Sequence, residues 1–178
     1  DYSVDDRDYN KHNFLIHDYF IAKSIDKTRA GGVVAVLTSS GTLDKLNYKA
    51  RKYMADRAEL VGAMRLPNSA FKASANTDVS TDILFFKKRE QIIDSQEDWI
   101  YTEQDELNKY YTQHPEMVLG VIKEKSGRFG PVKYVADFED RTLEESFKIA
   151  IQSLPQNVFV EKIVNEEGIP TGEYEAFI

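Results

Sequence analysis

The stretch Arg29-Ala30-Gly31-Gly32-Val33-Val34-Ala35-Val36-Leu37-Thr38-Ser39 decides the reading of this chain. Its paired glycines end whatever precedes them, because glycine takes the left-handed backbone of a helix C-terminus without strain. The β-branched, unbroken apolar run from Val33 to Thr38 is the pattern of a strand covered on both faces of a parallel sheet. Upstream, Phe14, Leu15, Tyr19, Ile21, Ala22 and Ile25 recur at helical spacing and predict a helix over 13–28, after a polar, aspartate-rich loop over 1–11. Downstream, Ser39-Ser40-Gly41-Thr42 reads as a loop ending in an N-cap. A helix over 43–58 follows, with Leu43, Leu46, Ala50, Tyr53 and Met54 on one stripe and Lys45, Lys49 and Lys52 on the other face. Leu60–Leu66 predicts a strand closed by Pro67, and Val79–Lys88 another, joined by a polar loop over 68–78. That loop is of a length usually reserved for function. With no helix between these two strands, the last must run antiparallel, and the class is α/β.

The second half is less regular. A short strand is expected at Trp99-Ile100-Tyr101, and a helix capped by Thr102 running to about Gln113. Gly127-Arg128-Phe129-Gly130-Pro131 reads as a turn leading into a strand over 132–135. Thr142-Leu143-Glu144-Glu145 is a capping-box pattern. It opens a helix expected to bury Leu143, Phe147, Ile151 and Leu154 and to stop at Pro155; the residues after Asn157 read as a partly ordered tail. The expected division is 1–89, an α/β unit, and 90–178, an acidic and mostly helical extension with a tail.

Composition excludes several classes. The chain has 178 residues, 42% of them hydrophobic and 12% aromatic, enough for a packed core. No apolar run approaches the roughly 18 residues of a membrane span, and no secretory leader is visible, so a cytoplasmic location is expected. Zero cysteines removes disulfides, thiol catalysis and cysteine metal sites. Opening at Asp1 without Met suggests a piece of a longer chain. The net charge of -7 is unevenly spread: fifteen basic against eleven acidic residues up to Arg89, then eight against nineteen. The acidic half argues against indiscriminate nucleic-acid binding but leaves room for a local basic face.

No complete active site is legible from local chemistry. His12 and His17 stand five apart, which does not align two ligands on one helical turn, and they read as ordinary packing or polar side chains. Asp1, Asp5, Asp6 and Asp8 lack the spacing of a calcium loop and read as a solvated acidic segment. No metal is expected. Neither a Walker loop, a nucleophile elbow nor a dinucleotide glycine fingerprint occurs.

The run His17-Asp18-Tyr19-Phe20-Ile21-Ala22-Lys23-Ser24, followed by Arg29 to Ser39, resembles the adenine-specific (N6) DNA methyltransferase family. The likeness is strongest to the methylase module of mobile-element helicase–methylase proteins and to the modification subunit of type I restriction systems. It is close through Lys88 and looser through Tyr110-Tyr111 to Gly120. The resemblance implies the C-terminal half of a Rossmann-like methyltransferase sheet that uses S-adenosylmethionine, followed by a smaller α+β or helical region. It also implies a role in restriction–modification or mobile-element protection, with DNA, an upstream half of the methylase domain and a helicase region as partners. The family's glycine-rich cofactor loop and its Pro-Pro-aromatic catalytic motif do not occur in this sequence, whose five prolines stand apart. This chain alone is therefore expected to be inactive and to bind no cofactor, with no catalytic residue assigned, and an exposed sheet edge is expected to drive self-association.

The resemblance also implies site residues. Ser39, Ser40 and Thr42 would lie at the rim of a base pocket beyond the first strand, or would merely cap the next helix. Phe71 would stack on an extruded adenine, or would pack beneath its own loop. Lys72, Asn76 and Thr77 share that loop and are candidates for DNA phosphate contact; Lys45, Lys49 and Lys52 read better as a solvated helix face. Trp99, Tyr110, Tyr111, Phe129 and Tyr134 lie in acidic surroundings that favour core packing over base stacking. The rival reading is a non-catalytic scaffold or interaction domain that keeps a methylase architecture.

Overall fold

Three strands, β1 (Val33–Ser39), β2 (Ala58–Leu66) and β3 (Thr81–Lys88), form a sheet in the order β1-β3-β2. The structure is a computed structural model that describes residues 5–72, 79–103, 107–127, 130–164 and 170–175. β3 runs antiparallel to both neighbours, so β1 and β2 are parallel to each other, the reversal that a helix-free connection between β2 and β3 requires. One extra residue, Val61, bulges from β2 between Leu60 opposite Phe86 and Gly62 opposite Phe85.

Leu84 and Phe86 of β3 are fully buried in one cluster with Ile21 and Ile25 of α2 (Ile16–Lys27) and Met54 of α4 (Lys49–Ala55). On the opposite face Leu154, the C-cap of α6 (Leu143–Ser153), meets the bare backbone of Gly62 in β2. Over β1 that face is open. Ala35 and Ser39 are exposed and Leu37 is 54% exposed, which corrects the expectation of a strand covered on both faces. β1 is an edge strand among the described residues.

The helix before β1 starts later than its pattern suggested, at Ile16, because Asn13 takes a positive φ of 51°. Leu15 is consequently exposed, while Tyr19, Ile21, Ala22 and Ile25 are buried as their spacing required. A short α1 (Arg7–Asn10) occupies part of the expected N-terminal loop; residues 1–4 of the aspartate-rich segment lie outside the described residues. Gly31 ends the approach to β1 at a φ of +72°, a conformation that glycine adopts freely.

The single helix expected over 43–58 is two short ones, α3 (Gly41–Asp44) and α4, with Lys45 extended between them. Leu46 is 64% exposed instead of core. Arg51 explains the break: it is fully buried and takes the carbonyls of Thr42 and Lys45, so this turn serves a tertiary bond in place of helix continuation.

Several second-half elements also differ from expectation. Asp98–Ile100 is a 3-10 turn, not a strand. The helix expected from Thr102 is reduced to α5 (Lys109–Gln113), capped by Asn108, while Thr102 bridges Asn108. The strand near 132–135 is half of a hairpin, β4 (Val121–Gly127) with β5 (Gly130–Ala136). β4 was missed because its run Val-Ile-Lys-Glu-Lys-Ser-Gly has no apolar alternation. The capping box at Thr142 and Glu145 is present in full. On α6, however, Ser146 and Ala150 are buried, Leu143 and Phe147 are half-buried, and Ile151 is 57% exposed. The expected tail contains a further hairpin, β6 (Val160–Val164) with β7 (Pro170–Glu175). Trp99, Ile100, Tyr110, Tyr111, Met117, Val118, Leu119, Val135 and Ala150 share the buried cluster of the first-half sheet.

Candidate functional site

The parallel strands β1 and β2 end on either side of the start of β3, so the chain segments that follow them leave from the same end of the sheet. The Ser40 amide donates to the Ser80 carbonyl at 3.1 Å, joining the exit of β1 to the entry of β3. Ser39 pairs with Thr81, and Thr81 with Leu66, so all three strands contribute to one rim.

Beneath the rim lies a buried ionic network. Arg65 of β2 donates Nε and Nη2 to the two oxygens of Asp82 at 2.8 Å each, and Nη1 to Asp44 at 2.6 Å. Its guanidinium also lies 4.3 Å from the centroid of Tyr111. Bidentate pairing of this kind fixes orientation as well as charge. Burial and the Asp82 carboxylate push the Tyr111 hydroxyl well up, so it stays neutral. Burial also pushes the Asp44 carboxyl up, against the charge of Arg65 and the Asn108 amide.

Two further side chains tie the post-β1 segment to the second half. Asn108 donates its side-chain amide to the carbonyls of Leu43 and Trp99, and its backbone amide to Asp44. Arg51 donates Nε to the Ile100 carbonyl at 2.7 Å while holding Thr42 and Lys45. Burial brings the Arg51 guanidinium down to about 10, which leaves it charged at neutral pH. The loop carrying Ser39, Ser40 and Thr42 is thus fastened from below by residues of both halves.

The sequence-derived candidates fall as follows. Ser39 is exposed and Ser40 half-buried at the rim. Thr42 is fully buried, with its hydroxyl 2.7 Å from that of Thr38; that hydroxyl faces the protein interior. Phe71 is partly buried and packs against the main core cluster, and Lys72 beside it is exposed. Asn76 and Thr77 lie outside the described residues, as does Phe129. Trp99, Tyr110 and Tyr111 are buried in the core. Of the three lysines on the supposed solvated face, Lys45 pairs with Asp18 and Lys52 with Asp56 and Asp94, while Lys49 is exposed.

Arg51, Arg65, Asp82 and Asn108 escaped the sequence reading. The available signal was charge inside apolar runs, Arg65 between Met64 and Leu66 and Asp82 just before Ile83-Leu84. Among the described residues no cluster of three or more histidine or acidic side chains is arranged to hold a metal. No described helix is long and apolar enough to cross a membrane.

Comparison with protein families matches the chain to the N-6 DNA methylases over residues 6–163. This chain belongs to the N-6 DNA methylase family. The match runs through the sheet, the buried network and α6, so both halves of the chain are family sequence. Comparisons with curated proteins and with solved structures return no match. Membership carries a role related to N6 methylation of adenine in DNA, and the family generally takes its methyl group from S-adenosylmethionine.

The residues present do not by themselves fit that cofactor. At the rim, the Thr38 and Thr42 hydroxyls are spent on each other, and Asp44 is engaged by Arg65 and Asn108. Among the described residues no glycine-rich turn faces them, and no cofactor contact is assigned.

Proposed function

We propose that this chain supplies the target-base side of a DNA adenine-N6 methyltransferase, the unit over 1–89 carrying the base-facing rim and 90–178 buttressing it. The observation that carries this reading is that the segments after β1 and β2 leave from the same end of the sheet, on either side of the start of β3, the end where ligands sit in open α/β folds. Phe71, half-buried after β2, stacks on the extruded adenine. Ser39 and Ser40 line the pocket with Thr42 behind them, and Lys72 contacts phosphate, with Asn76 and Thr77 on the same loop.

This part of the sheet corresponds to the C-terminal half of a Rossmann-like methyltransferase sheet. Cofactor binding and catalysis then require a segment bearing the glycine-rich loop and the Pro-Pro-aromatic motif, and the chain alone is inactive. The edge of β1, unpaired among the described residues and carrying the exposed Leu37, is suited to receive that segment or, without it, a second copy. Restriction–modification or mobile-element protection, a helicase region as neighbour and a cytoplasmic location complete the proposal.

The test is calorimetry with S-adenosylmethionine on this chain and on a polypeptide joining it to about 150 residues, one domain's length, that carry the two motifs. Binding and adenine methylation by the joined polypeptide alone supports the reading. Binding by neither favours a non-catalytic scaffold. In the active polypeptide, Phe71→Ala is expected to weaken binding of adenine-containing DNA by about 1–3 kcal/mol, the worth of one stacked base.

A further inference from the structure

We infer that the β4–β5 hairpin is a DNA-contacting arm, whose outward face grips the phosphates of the duplex beside the extruded base. The inference rests on the base-side reading above and names a second surface that serves it.

Charge is the first observation. From Glu90 onward the chain holds eight basic and nineteen acidic residues, yet the segment 121–136 contains Lys123, Lys125, Arg128 and Lys133 against Glu124 alone. The acidic half therefore has one basic island, and it falls on the hairpin.

Register sorts these charges onto two faces. Glu124 lies directly opposite Lys133, on the face shared with Ile122 and Val135, and Val135 is buried in the core. The other face carries Lys123, opposite Tyr134, and Lys125, opposite Val132. Lys125 lies 5.1 Å from the Tyr134 ring centroid. Lys123 and Lys125 are exposed, and no acidic residue shares their face along β4 and β5. Two residues apart on a strand, they are separated by about 7 Å.

The root of the arm is the third observation. Val135 accepts from the Asn68 amide at 2.8 Å, and its own amide donates to Ser80 Oγ at 2.9 Å. Asn68 and Ser80 bracket the loop that carries Phe71 and Lys72. Ser69 Oγ donates to Asp137 at 2.8 Å, just past β5. One strand of the hairpin is thereby bonded to both ends of the candidate base loop. From Val135 to Gly130 the arm extends about 17 Å at the rise of a strand, and a two-stranded ribbon fits the major groove of duplex DNA. A basic face would also attract an acidic protein, but the tie to the base loop favours the duplex that carries the base.

The test is fluorescence anisotropy of this chain with a labelled adenine-containing duplex, titrated between 50 and 200 mM salt, for wild type and Lys123→Gln/Lys125→Gln. Each phosphate contact contributes about 0.9 to the slope of log affinity against log salt, so the double variant should lower that slope by about two. Lys148→Gln, at an exposed position of α6, serves as control and should leave the slope unchanged; unaltered thermal melts show that all three proteins fold. Wild-type binding with a slope that the double variant does not change overturns the arm. Absence of binding by the wild type at 50 mM salt overturns it as well, and retention of an acidic peptide under those conditions points to the protein partner instead. Loss of slope without any effect of Phe71→Ala would retain the arm and sink the base-stacking role.

Discussion

Arg65 and Asp82, on the adjacent antiparallel strands β2 and β3, lock two strand ends together through two 2.8 Å bonds in the sheet interior. Their backbones are already paired in the ladder, so the ion pair adds orientation: it aims Nη1 at Asp44 and sets the guanidinium against Tyr111.

Breaking that pair from one side should be costly. Asp82→Asn leaves a buried guanidinium with one carboxylate, and a loss of about 3–5 kcal/mol is expected in urea unfolding, as for other buried pairs that lose one partner. Replacing both residues, as Arg65→Met with Asp82→Leu, should recover much of it, since the desolvation cost disappears with the charges. A single-variant loss below about 1 kcal/mol would show that the network is dispensable.

Arg51 makes a sharper test because its three bonded partners are carbonyls. Arg51→Met strands the carbonyls of Thr42, Lys45 and Ile100, with a loss of about 3 kcal/mol expected from unmet buried acceptors. Arg51→Lys should rescue little, because a single ammonium cannot span the geometry of a planar fork. Hydrogen exchange in Arg51→Met should rise first at 41–45 and 99–101, the segments it joins. Uniform exchange across the sheet would contradict a local clamp.

These same residues explain what the sequence could and could not reveal. β1, β2 and β3 were legible because their cores are apolar runs bounded by glycine, proline or polar loops, and the α6 start because a capping box is a local device. The break between α3 and α4 was not, since a helical stripe persists through Leu46 and no linear spacing shows that Arg51 turns inward to the carbonyls of Thr42, Lys45 and Ile100. Trp99-Ile100-Tyr101 carries strand-favouring residues, yet the bond from Asn108 to the Trp99 carbonyl draws it into a 3-10 turn. At the candidate site, Ser39, Ser40 and Phe71 came from family likeness, while the network beneath them depends on pairings that no linear spacing reveals.

Titration offers an independent probe of the N-terminal packing. Asp26 accepts from the hydroxyls of Tyr9 at 2.6 Å and Tyr53 at 2.7 Å, with Arg57 and Lys88 nearby. Burial pushes its carboxyl up, but these hydroxyls and cations outweigh it and hold it below the usual range. Burial and Asp26 together push the Tyr53 hydroxyl up to about 12. A depressed acid stabilises the fold above the free aspartate value and loses that contribution as pH falls through its folded value. A raised phenol contributes fully below its free value of about 10 and loses that contribution as pH rises through 12. The cluster should therefore hold between about pH 4 and 10. A phenolate absorbance difference between wild type and Tyr53→Phe should titrate near 12, and in an Asp26→Asn background it should move toward the free value. An unmoved midpoint would remove Asp26 as a cause.

Gly62 supplies the last prediction, and it concerns how the acidic half is held on the sheet. A Cβ at this position meets the Leu154 Cδ2 methyl, with Tyr110 Oη 3.7 Å away. Glycine in a strand interior is otherwise a disadvantage of roughly 0.5–1 kcal/mol against alanine, so its presence here reflects the closeness of the α6 C-terminus. Gly62→Ala should destabilise by about 1 kcal/mol, the lower end of overpacking costs, because the obstructing atom ends a side chain that can turn aside. In a Leu154→Ala background the obstruction is gone and the same substitution should become neutral or stabilising. The sign change between backgrounds, read as coupling in a double-mutant cycle of urea midpoints, tests whether α6 seats on β2 through this contact. Additive effects would detach α6 from the sheet and, with it, the argument that the second half buttresses the rim.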